Sequence, residues 1–295
     1  MEVHMIRRLP ILLVALLIQA LPLAAAEPLH VMIVNDDGID APGIAALAAE
    51  VARDPAYRVT VVAPASPQSG KGHAVVTHGP IEVRAHDPVG GCPAWSVAGT
   101  PATTTRVGLA AILADDPPAL VLSGINRGEN DGILAWYSGT VGAAREAVIA
   151  GLPAMAISLE LDWSDPRPDF ALAARLAKPL IDDVRRHPLP PGVLLNVNIP
   201  RDTAASKGYR LARMSTAHSE HEGFVLESTD ENGTRFYQPR WRPAQSHDQG
   251  TDTWALDAGW ITVVPLGLDQ TRLDAFPVLG WVTATRLPRT TPPAP

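Results

Sequence analysis

The sequence is poor in the residues that build cysteine-based sites. It has one cysteine, Cys92, in 295 residues, so no disulfide can form within the chain and a zinc site with several cysteine ligands is excluded. Charged residues make up 19% and lysine and arginine form no cluster, which argues against nucleic-acid binding as the main role. Because 46% of the residues are hydrophobic, the composition is that of a globular protein rather than a disordered chain.

Several common functional motifs are also missing. The sequence has neither a G-x-G-x-x-G fingerprint nor a Walker A motif, so dinucleotide-binding and nucleotide-loop functions lose support. It has no G-x-S-x-G element either, which weakens a serine-hydrolase interpretation.

The N-terminus has the pattern of a secretory signal. Arg7 and Arg8 precede the apolar run Leu9–Leu23, and Ala24–Ala26 supplies small residues before Glu27. This order predicts a signal peptide over residues 1–26, and a mature protein that is periplasmic or secreted and not stably inserted in the membrane. The alternative is an uncleaved membrane anchor, since the run is close to the length of a short span.

Strand and helix patterns alternate through the first part of the mature chain. This alternation predicts an α/β fold, a Rossmann-like doubly wound and mainly parallel sheet over residues 27–200, with Asp40 capping the first helix. Short apolar strands and an Asn232-Gly233 turn signal then predict a β-rich extension with C-terminal oligomerisation elements over 201–287. Residues 288–295 are predicted to be disordered. The predicted strands of the core include Leu29–Asn35, Arg58–Ala63, Ala119–Ser123, Ala154–Leu159 and Val193–Ile199. A glycine-rich loop is predicted over Gly124–Gly139 and a helix over Phe170–Arg186.

Polar residues follow three of these strands. Asp36 and Asp37 come after the first strand, Ser69 lies in the loop after the second, and Asn126 follows Ala119–Ser123. Parallel strands bring these residues to one edge of the sheet, where doubly wound proteins bind ligands. Oxygen donors of this kind suit Mg²⁺, Mn²⁺ or Ca²⁺. Taken alone, the Asp-Asp-Gly run would be better explained as a turn. Its position at a strand end beside two other polar loops favours a metal site instead.

A second polar motif, Ser138-Gly139-Thr140, opens an alanine-rich helix. Backbone N–H groups at a helix start favour an anion, so a phosphate could bind here, although an ordinary helix cap explains the motif in isolation. A metal site and an anion site together indicate phosphoryl chemistry.

Two histidine motifs are less specific. His73 follows the Ser69 loop and either approaches a substrate or has a surface or structural role. The cluster His218–Glu222 looks like a set of metal ligands, but a solvated loop is the better interpretation.

Several stretches together resemble the SurE family, the survival-protein 5′/3′-nucleotidases. They include VNDDGIDAPGI (Val34–Ile44), VVAPASPQSGKGHA (Val61–Ala74), SGINRGEN (Ser123–Asn130) and YSGTVGAAREA (Tyr137–Ala147), with shorter matches at GTP (Gly99–Pro101), LNVNIP (Leu195–Pro200) and GTD (Gly250–Asp252). They follow the order of the family over most of the mature chain.

The resemblance implies a Rossmann-like core and hydrolysis of nucleoside monophosphates with a divalent metal, Mg²⁺ or Mn²⁺. It implies metal ligation by Asp36, Asp37, Ser69 and Asn126, and phosphate contacts from Ser138, Gly139 and Thr140. It also implies a homodimer or homotetramer that exchanges C-terminal elements. From the chemistry of such a site we expect Asp37, beside Asp36, to aid proton transfer from water.

The sequence departs from the family pattern at two loops. Thr103 stands where the family usually has an acidic residue, and Ile133-Leu134 replaces an acidic pair. Three functions are therefore carried forward: a secreted metal-dependent nucleotidase, a broad-specificity phosphatase, and a nucleotide- or metal-binding protein without turnover.

Overall fold

The computed structural model describes residues 27–161, 167–216, 220–242, 248–279 and 282. Its strands are β1 (Leu29–Val34), β2 (Tyr57–Pro64), β3 (Val83–Val89), β4 (Cys92–Val97), β5 (Leu120–Arg127), β6 (Ala154–Leu159), β7 (Val193–Ile199), β8 (Tyr209–Leu211), β9 (Glu220–Thr229), β10 (Arg235–Arg242) and β11 (Ile261–Gly267). The main sheet has the order β3-β4-β2-β1-β5-β6-β7-β11-β8, and β9 and β10 form a separate two-stranded sheet.

Helices cover both faces of the main sheet. They are α1 (Pro42–Ala52), α2 (Pro101–Val107), α3 (Leu134–Tyr137), α4 (Gly139–Ile149), α5 (Phe170–Arg186), α6 (Asp252–Asp257) and α7 (Phe276–Leu279), with a π-helical turn at Gly108–Ile112. Two short 3₁₀ turns lie at Thr203–Ala205 and Leu273–Ala275. Helices α1 and α5 pack on one face, and α4 packs on the other.

Strand β1 shows why the sheet needs helices on both sides. Val31 and Ile33 belong to the core beneath α1 and α5, whereas Met32 and Val34 belong to the core beneath α4. Successive side chains of a strand point to opposite faces, so a strand that is apolar at every position is buried on both. The run of apolar residues in β1 thus places it at the centre of the sheet.

The chain reverses its direction of winding between β1 and β5. Strand β1 pairs in parallel with β2 on one side and with β5 on the other. The loops after β1 and β5 therefore diverge at this point and leave a crevice at the carboxyl edge of the sheet, which is where doubly wound folds bind ligands.

The predicted fold class is confirmed, with two local corrections. Asp40 does not cap α1, because Ala41 occupies the cap position without a side-chain hydrogen bond and the helix begins with Pro42. The segment from Gly124, predicted as a loop, continues β5 to Arg127. An irregularity in the β5–β6 pairing between Ser123 and Asn126 lets the strand continue through Gly124.

The C-terminal extension contributes to both sheets. Strand β11 pairs antiparallel with β7 and parallel with β8, so both strands extend the main sheet. Strands β9 and β10 form a hairpin whose turn contains Asn232 and Gly233, as the turn signal predicts. The division of the chain at residue 200 stays a prediction, and the predicted signal (1–26) and tail (288–295) lie outside the described residues.

Within the described ranges, no helix is both long enough and apolar enough to cross a membrane.

Candidate functional site

The turn after β1 presents the two acidic residues at the crevice. Asn35 shapes this turn: its side-chain Nδ2 donates to the Gly38 carbonyl oxygen at 2.8 Å, and its Oδ1 accepts from the Gly38 N–H at 3.2 Å. Asp36 and Asp37 lie between these anchored residues. The Asp-Asp-Gly run is therefore a turn, and the turn holds both carboxylates at the edge of the sheet.

Asp36 is buried against the start of α4. Its side chain is 4% exposed, and its Oδ1 accepts a hydrogen bond from the Thr140 hydroxyl at 2.6 Å. Burial, with a contribution from the nearby charge of Asp37, raises the pKa of Asp36 to about 6. Gly139 makes this close approach possible, because a Cβ there would lie 2.9 Å from Asp36 Oδ2.

Asp37 faces the end of β5. Its Oδ2 accepts a hydrogen bond from the Arg127 N–H at 3.0 Å, and burial raises the pKa of its carboxyl group. Within the described ranges its other carboxylate oxygen has no hydrogen bond, so Oδ1 is free to bind a ligand or a proton.

Asn126, near the end of β5, and Ser69, in the loop after β2, carry the two other predicted ligand oxygens. The Asn126 side-chain Nδ2 donates to the Gly128 carbonyl oxygen at 2.7 Å, which leaves its Oδ1 as an acceptor. Ser69 is exposed in the loop after β2. The preceding residue ties this loop to the acidic turn, since the Gln68 N–H donates to the Asp36 carbonyl oxygen at 2.7 Å.

These four residues fit a divalent cation. They supply two carboxylates, a hydroxyl and an amide oxygen, the hard donors that Mg²⁺ and Mn²⁺ prefer. No ion pair among the described residues neutralises Asp36 or Asp37, so a cation would relieve their mutual repulsion. Among the described residues, no three His, Cys, Asp or Glu side chains are grouped so that they could hold a metal. A metal bound by Asp36 and Asp37 would therefore need the hydroxyl and amide oxygens as further ligands.

The start of α4 presents hydrogen-bond donors beside the carboxylates. Ser138 caps the helix by accepting a hydrogen bond from the Val141 N–H at 3.0 Å, so its hydroxyl hydrogen is still available to a ligand. The N–H groups of Gly139 and Thr140 have no acceptor within the helix. Because the Thr140 hydroxyl is bonded to Asp36, Thr140 links the helix start to the acidic turn.

A cavity of about 330 Å³ opens next to Asp37. Ile39, Pro42, Pro67 and Phe170 give it apolar walls, and Arg127 adds a positive charge. The cavity therefore provides a mainly apolar space beside Asp37.

Sequence reasoning missed a second buried acidic pair, Asp131 and Asp252. Asp252 accepts from the Gly132 N–H at 2.9 Å and from the Ser215 N–H at 2.7 Å, which fastens the loop after β5 to the C-terminal extension. Burial, together with the charges of Asp252 and Glu129, raises the pKa of Asp131 to about 7. The only signal was the GTD match that contains Asp252. The cluster His218–Glu222 lies outside the residues whose side chains are described.

The fold and the site define a Rossmann-like α/β protein with an acidic crevice beside a helix start at the switch point of its sheet. Comparison with known proteins gives the family. The model of the family "Survival protein SurE" matches residues 31–221, and the chain belongs to the SurE family.

Relatives match the chain over most of its length. The 5′-nucleotidase SurE of Clostridium beijerinckii is 35% identical over 257 residues, covering 86% of this chain and 98% of that protein. The 5′-nucleotidase SurE of Symbiobacterium thermophilum is 40% identical over 247 residues, covering 83% and 94%. The crystal structure of the SurE protein from Aquifex aeolicus is similar, with a TM-score of 0.74 and 32% identity over 86% of this chain and 99% of that chain.

Proposed function

We propose that this protein is a metal-dependent 5′-nucleotidase that hydrolyses nucleoside 5′-monophosphates to nucleoside and phosphate. The observation that carries the proposal is the 2.6 Å hydrogen bond between Thr140 and Asp36, because it joins an anion-binding helix start to a pair of carboxylates at the switch point. Relatives that cover 83–86% of the chain are named 5′-nucleotidases, which supports this substrate class.

The proposed metal ligands are Asp36, Asp37, Ser69 and Asn126. A bound divalent cation supplies charge neutralisation of the phosphoryl group and a lower pKa of water. Ser138, Gly139 and Thr140 bind the phosphate oxygens through the free hydroxyl and the N–H groups of the helix start. Asp37 accepts the proton of the attacking water at Oδ1, the carboxylate oxygen that is not bonded to the Arg127 N–H.

The nucleoside is proposed to occupy the cavity next to Asp37. The apolar side chains of Pro42, Pro67 and Phe170 line that cavity and offer a surface for a base or sugar, and the Arg127 guanidinium provides a hydrogen-bond donor. In this proposal the phosphate binds at the start of α4, and the nucleoside, which is the leaving group, binds in the cavity next to Asp37.

The test is phosphate release from a panel of substrates by the purified mature chain. The panel contains nucleoside 5′- and 3′-monophosphates, p-nitrophenyl phosphate and short polyphosphate, each with Mg²⁺, Mn²⁺ or EDTA. The proposal expects release that requires metal and is fastest with 5′-nucleotides. Equal rates on all monoesters would favour a broad-specificity phosphatase, and no release by folded, metal-loaded protein would favour a binding protein.

The hairpin of β9 and β10 supports a proposed homodimer or homotetramer. Val225 and Leu226, on opposite faces of β9, are 48% and 49% exposed, and Phe236 and Tyr237 on β10 are 49% and 48% exposed. An isolated two-stranded ribbon is marginally stable, and apolar side chains exposed on both faces mark an interaction surface. A second copy of the chain is the proposed partner, to be tested by light scattering after gel filtration.

Secretion is proposed on the basis of the N-terminal pattern alone. Mass spectrometry of the protein recovered from the periplasm of an expressing bacterium tests it. Secretion predicts a mature N-terminus at Glu27, and an intact Met1 in a cytoplasmic fraction would contradict it.

A further inference from the structure

The loop that carries Ser69 packs directly on α4 as it returns to the core. The Gly72 N–H donates to the Tyr137 carbonyl oxygen at 2.9 Å. On the second turn of α4, a Cβ at Gly142 would lie 2.3 Å from the Gly72 carbonyl oxygen. The backbone of the loop therefore touches the helix at a place where no side chain fits.

The next residue, His73, forms a polar contact with the same helix. Its Nε2 lies 2.7 Å from Oε2 of Glu146 on α4, and the other carboxylate oxygen of Glu146 lies 3.2 Å from Nε of Arg106 on α2. The Glu146 side chain is only 8% exposed. A carboxylate buried to this extent needs charged or hydrogen-bonding partners, and His73 and Arg106 supply them.

Further hydrogen bonds hold the loop after His73. The Thr100 hydroxyl donates to the Ala74 carbonyl oxygen at 2.5 Å, and the Val76 N–H donates to the Thr103 hydroxyl at 2.8 Å. Thr103, which replaces the acidic residue usual in the family, thus binds this loop. The loop is fastened at Gln68 and again from Gly72 to Val76, and the exposed residues between these anchors are Ser69, Gly70 and Lys71.

The His73 imidazole is bonded to Glu146, which lies eight residues beyond the cap residue Ser138, or about 12 Å along a helix. In this structure its ring therefore contacts the body of α4, which favours a structural role for His73.

We propose that His73 is a positioning residue. Through Glu146 it fixes the loop that carries Ser69 to the helix whose amino end binds phosphate, so that the proposed metal ligand and the phosphate site keep a constant separation. The inference rests on the proposed function for the roles of Ser69 and α4, whereas the attachment of the loop by His73 does not depend on catalysis.

The test uses four single variants of the chain from Glu27 onward and the double variant of His73→Ala with Glu146→Gln. His73→Ala removes the contact, His73→Gln keeps an N–H donor of similar reach, and Glu146→Gln removes the negative charge. His78→Ala is the matched control, because His78 is an exposed histidine on the same segment. Hydrogen exchange of residues 65–76 in metal-free protein, the Mn²⁺ dissociation constant by electron paramagnetic resonance, and kcat and KM for a nucleotide are measured for each.

We expect His73→Ala to speed exchange in the loop and to weaken Mn²⁺ binding about tenfold, the effect usual for residues that orient metal ligands. His73→Gln should recover most of both losses, and His78→Ala should match the wild type. Glu146→Gln should weaken Mn²⁺ binding less than His73→Ala, and the double variant should lose less than the sum of the single losses, because both changes break one contact.

Unchanged loop exchange in folded His73→Ala protein would overturn the proposal, as would Mn²⁺ affinity equal to that of the wild type. A failure of His73→Gln to recover either measurement would also contradict it. If the wild type hydrolyses no nucleotide but the loop and Mn²⁺ binding respond as expected, the proposed function fails and the positioning role stands.

Discussion

The crevice between the ends of β1 and β5 and the β9–β10 hairpin differ in which side chains they bury and which they expose. In the crevice, polar side chains such as Asp36 and Thr140 are buried and bonded to each other. In the hairpin, apolar side chains such as Leu226 and Phe236 are about half exposed. A hydrogen bond within the chain stabilises this buried polar pair, whereas apolar side chains exposed on both faces of a ribbon are typical of an interaction surface. The acidic turn is thus held by contacts within one chain, and the hairpin is the surface through which we propose that two copies associate.

The sharpest test of the crevice is Asp37→Asn. We expect it to lower kcat on the order of 10³-fold, since it removes a proposed metal ligand and the proton acceptor. The matched control is Asp115→Asn, because Asp115 is an exposed aspartate that does not line the cavity next to Asp37. Phosphate release measures both variants, and circular dichroism checks their folding. Comparable activity in the two variants would remove Asp37 from the site.

A smaller loss of activity is expected when the hydrogen bond between Thr140 at the start of α4 and Asp36 in the acidic turn is removed. Thr140→Val removes the hydrogen bond to Asp36 with little change in volume, and a hydrogen bond to a charged group is worth about 1.5–3 kcal/mol, or about 10- to 100-fold in kcat/KM. Thr140→Ser keeps the hydroxyl and should retain most of the activity. Steady-state kinetics with a nucleotide distinguishes the two, and equal losses would show that the methyl packing of Thr140 matters rather than its hydrogen bond.

A substitution in the hairpin can test association without changing any residue of the crevice. Leu226→Asp places a charge on its apolar face and should dissociate the assembly, while kcat per chain changes by less than about threefold because the site is complete in one chain. Ser228→Asp, at an exposed position on the same strand, is the control and should stay associated. Light scattering and activity are measured together. Loss of both assembly and activity in Leu226→Asp would mean that the crevice depends on the partner.

The smallest effect concerns the contact between the loop after β5 and the C-terminal extension. The pKa of Asp131 is raised to about 7 in the folded protein, above the value of about 3.9 for an exposed aspartate. The folded state therefore holds this proton over a higher pH range, and the stability of the wild type should fall as pH rises from about 4 to 7.

Replacing the carboxyl group of Asp131 tests whether its ionisation lowers the stability of the folded protein as pH rises. Asp131→Asn should raise the free energy of unfolding by about 1–3 kcal/mol at pH 8 and change it little at pH 4. Urea unfolding at both pH values measures this, with Asp115→Asn, at an exposed position, as the control. Equal destabilisation of Asp131→Asn at the two pH values would show that the carboxyl group acts through hydrogen bonds and not through its charge.

Residue patterns predicted the structure correctly where the local sequence signal and the tertiary environment favoured the same conformation. The alternation of buried faces in β1 follows directly from its unbroken apolar run, and α5 has the predicted bounds Phe170–Arg186. The acidic turn was also predictable, because strand ends in a parallel sheet share one edge.

Local signals failed where contacts distant in sequence decided the outcome. Asp40 resembles a helix cap, yet its side chain faces His86 on β3 at 3.3 Å. Glycine at position 124 suggests a loop, yet pairing with β6 continues the strand to Arg127. Asp131 and Asp252 lie 121 positions apart and His73 and Glu146 lie 73 apart, so no sequence window could have joined them.

The carboxyl edge between β1 and β5 is the proposed metal and phosphate site, and anomalous diffraction from Mn²⁺-soaked crystals of the protein from Glu27 onward locates the metal. We expect one strong peak per chain, within coordination distance of Asp36, Asp37, Ser69 and Asn126, and no such peak in Asp36→Asn crystals. If the protein needs Mn²⁺ for phosphate release but binds it elsewhere, such as beside His218–Glu222, the proposed site is wrong.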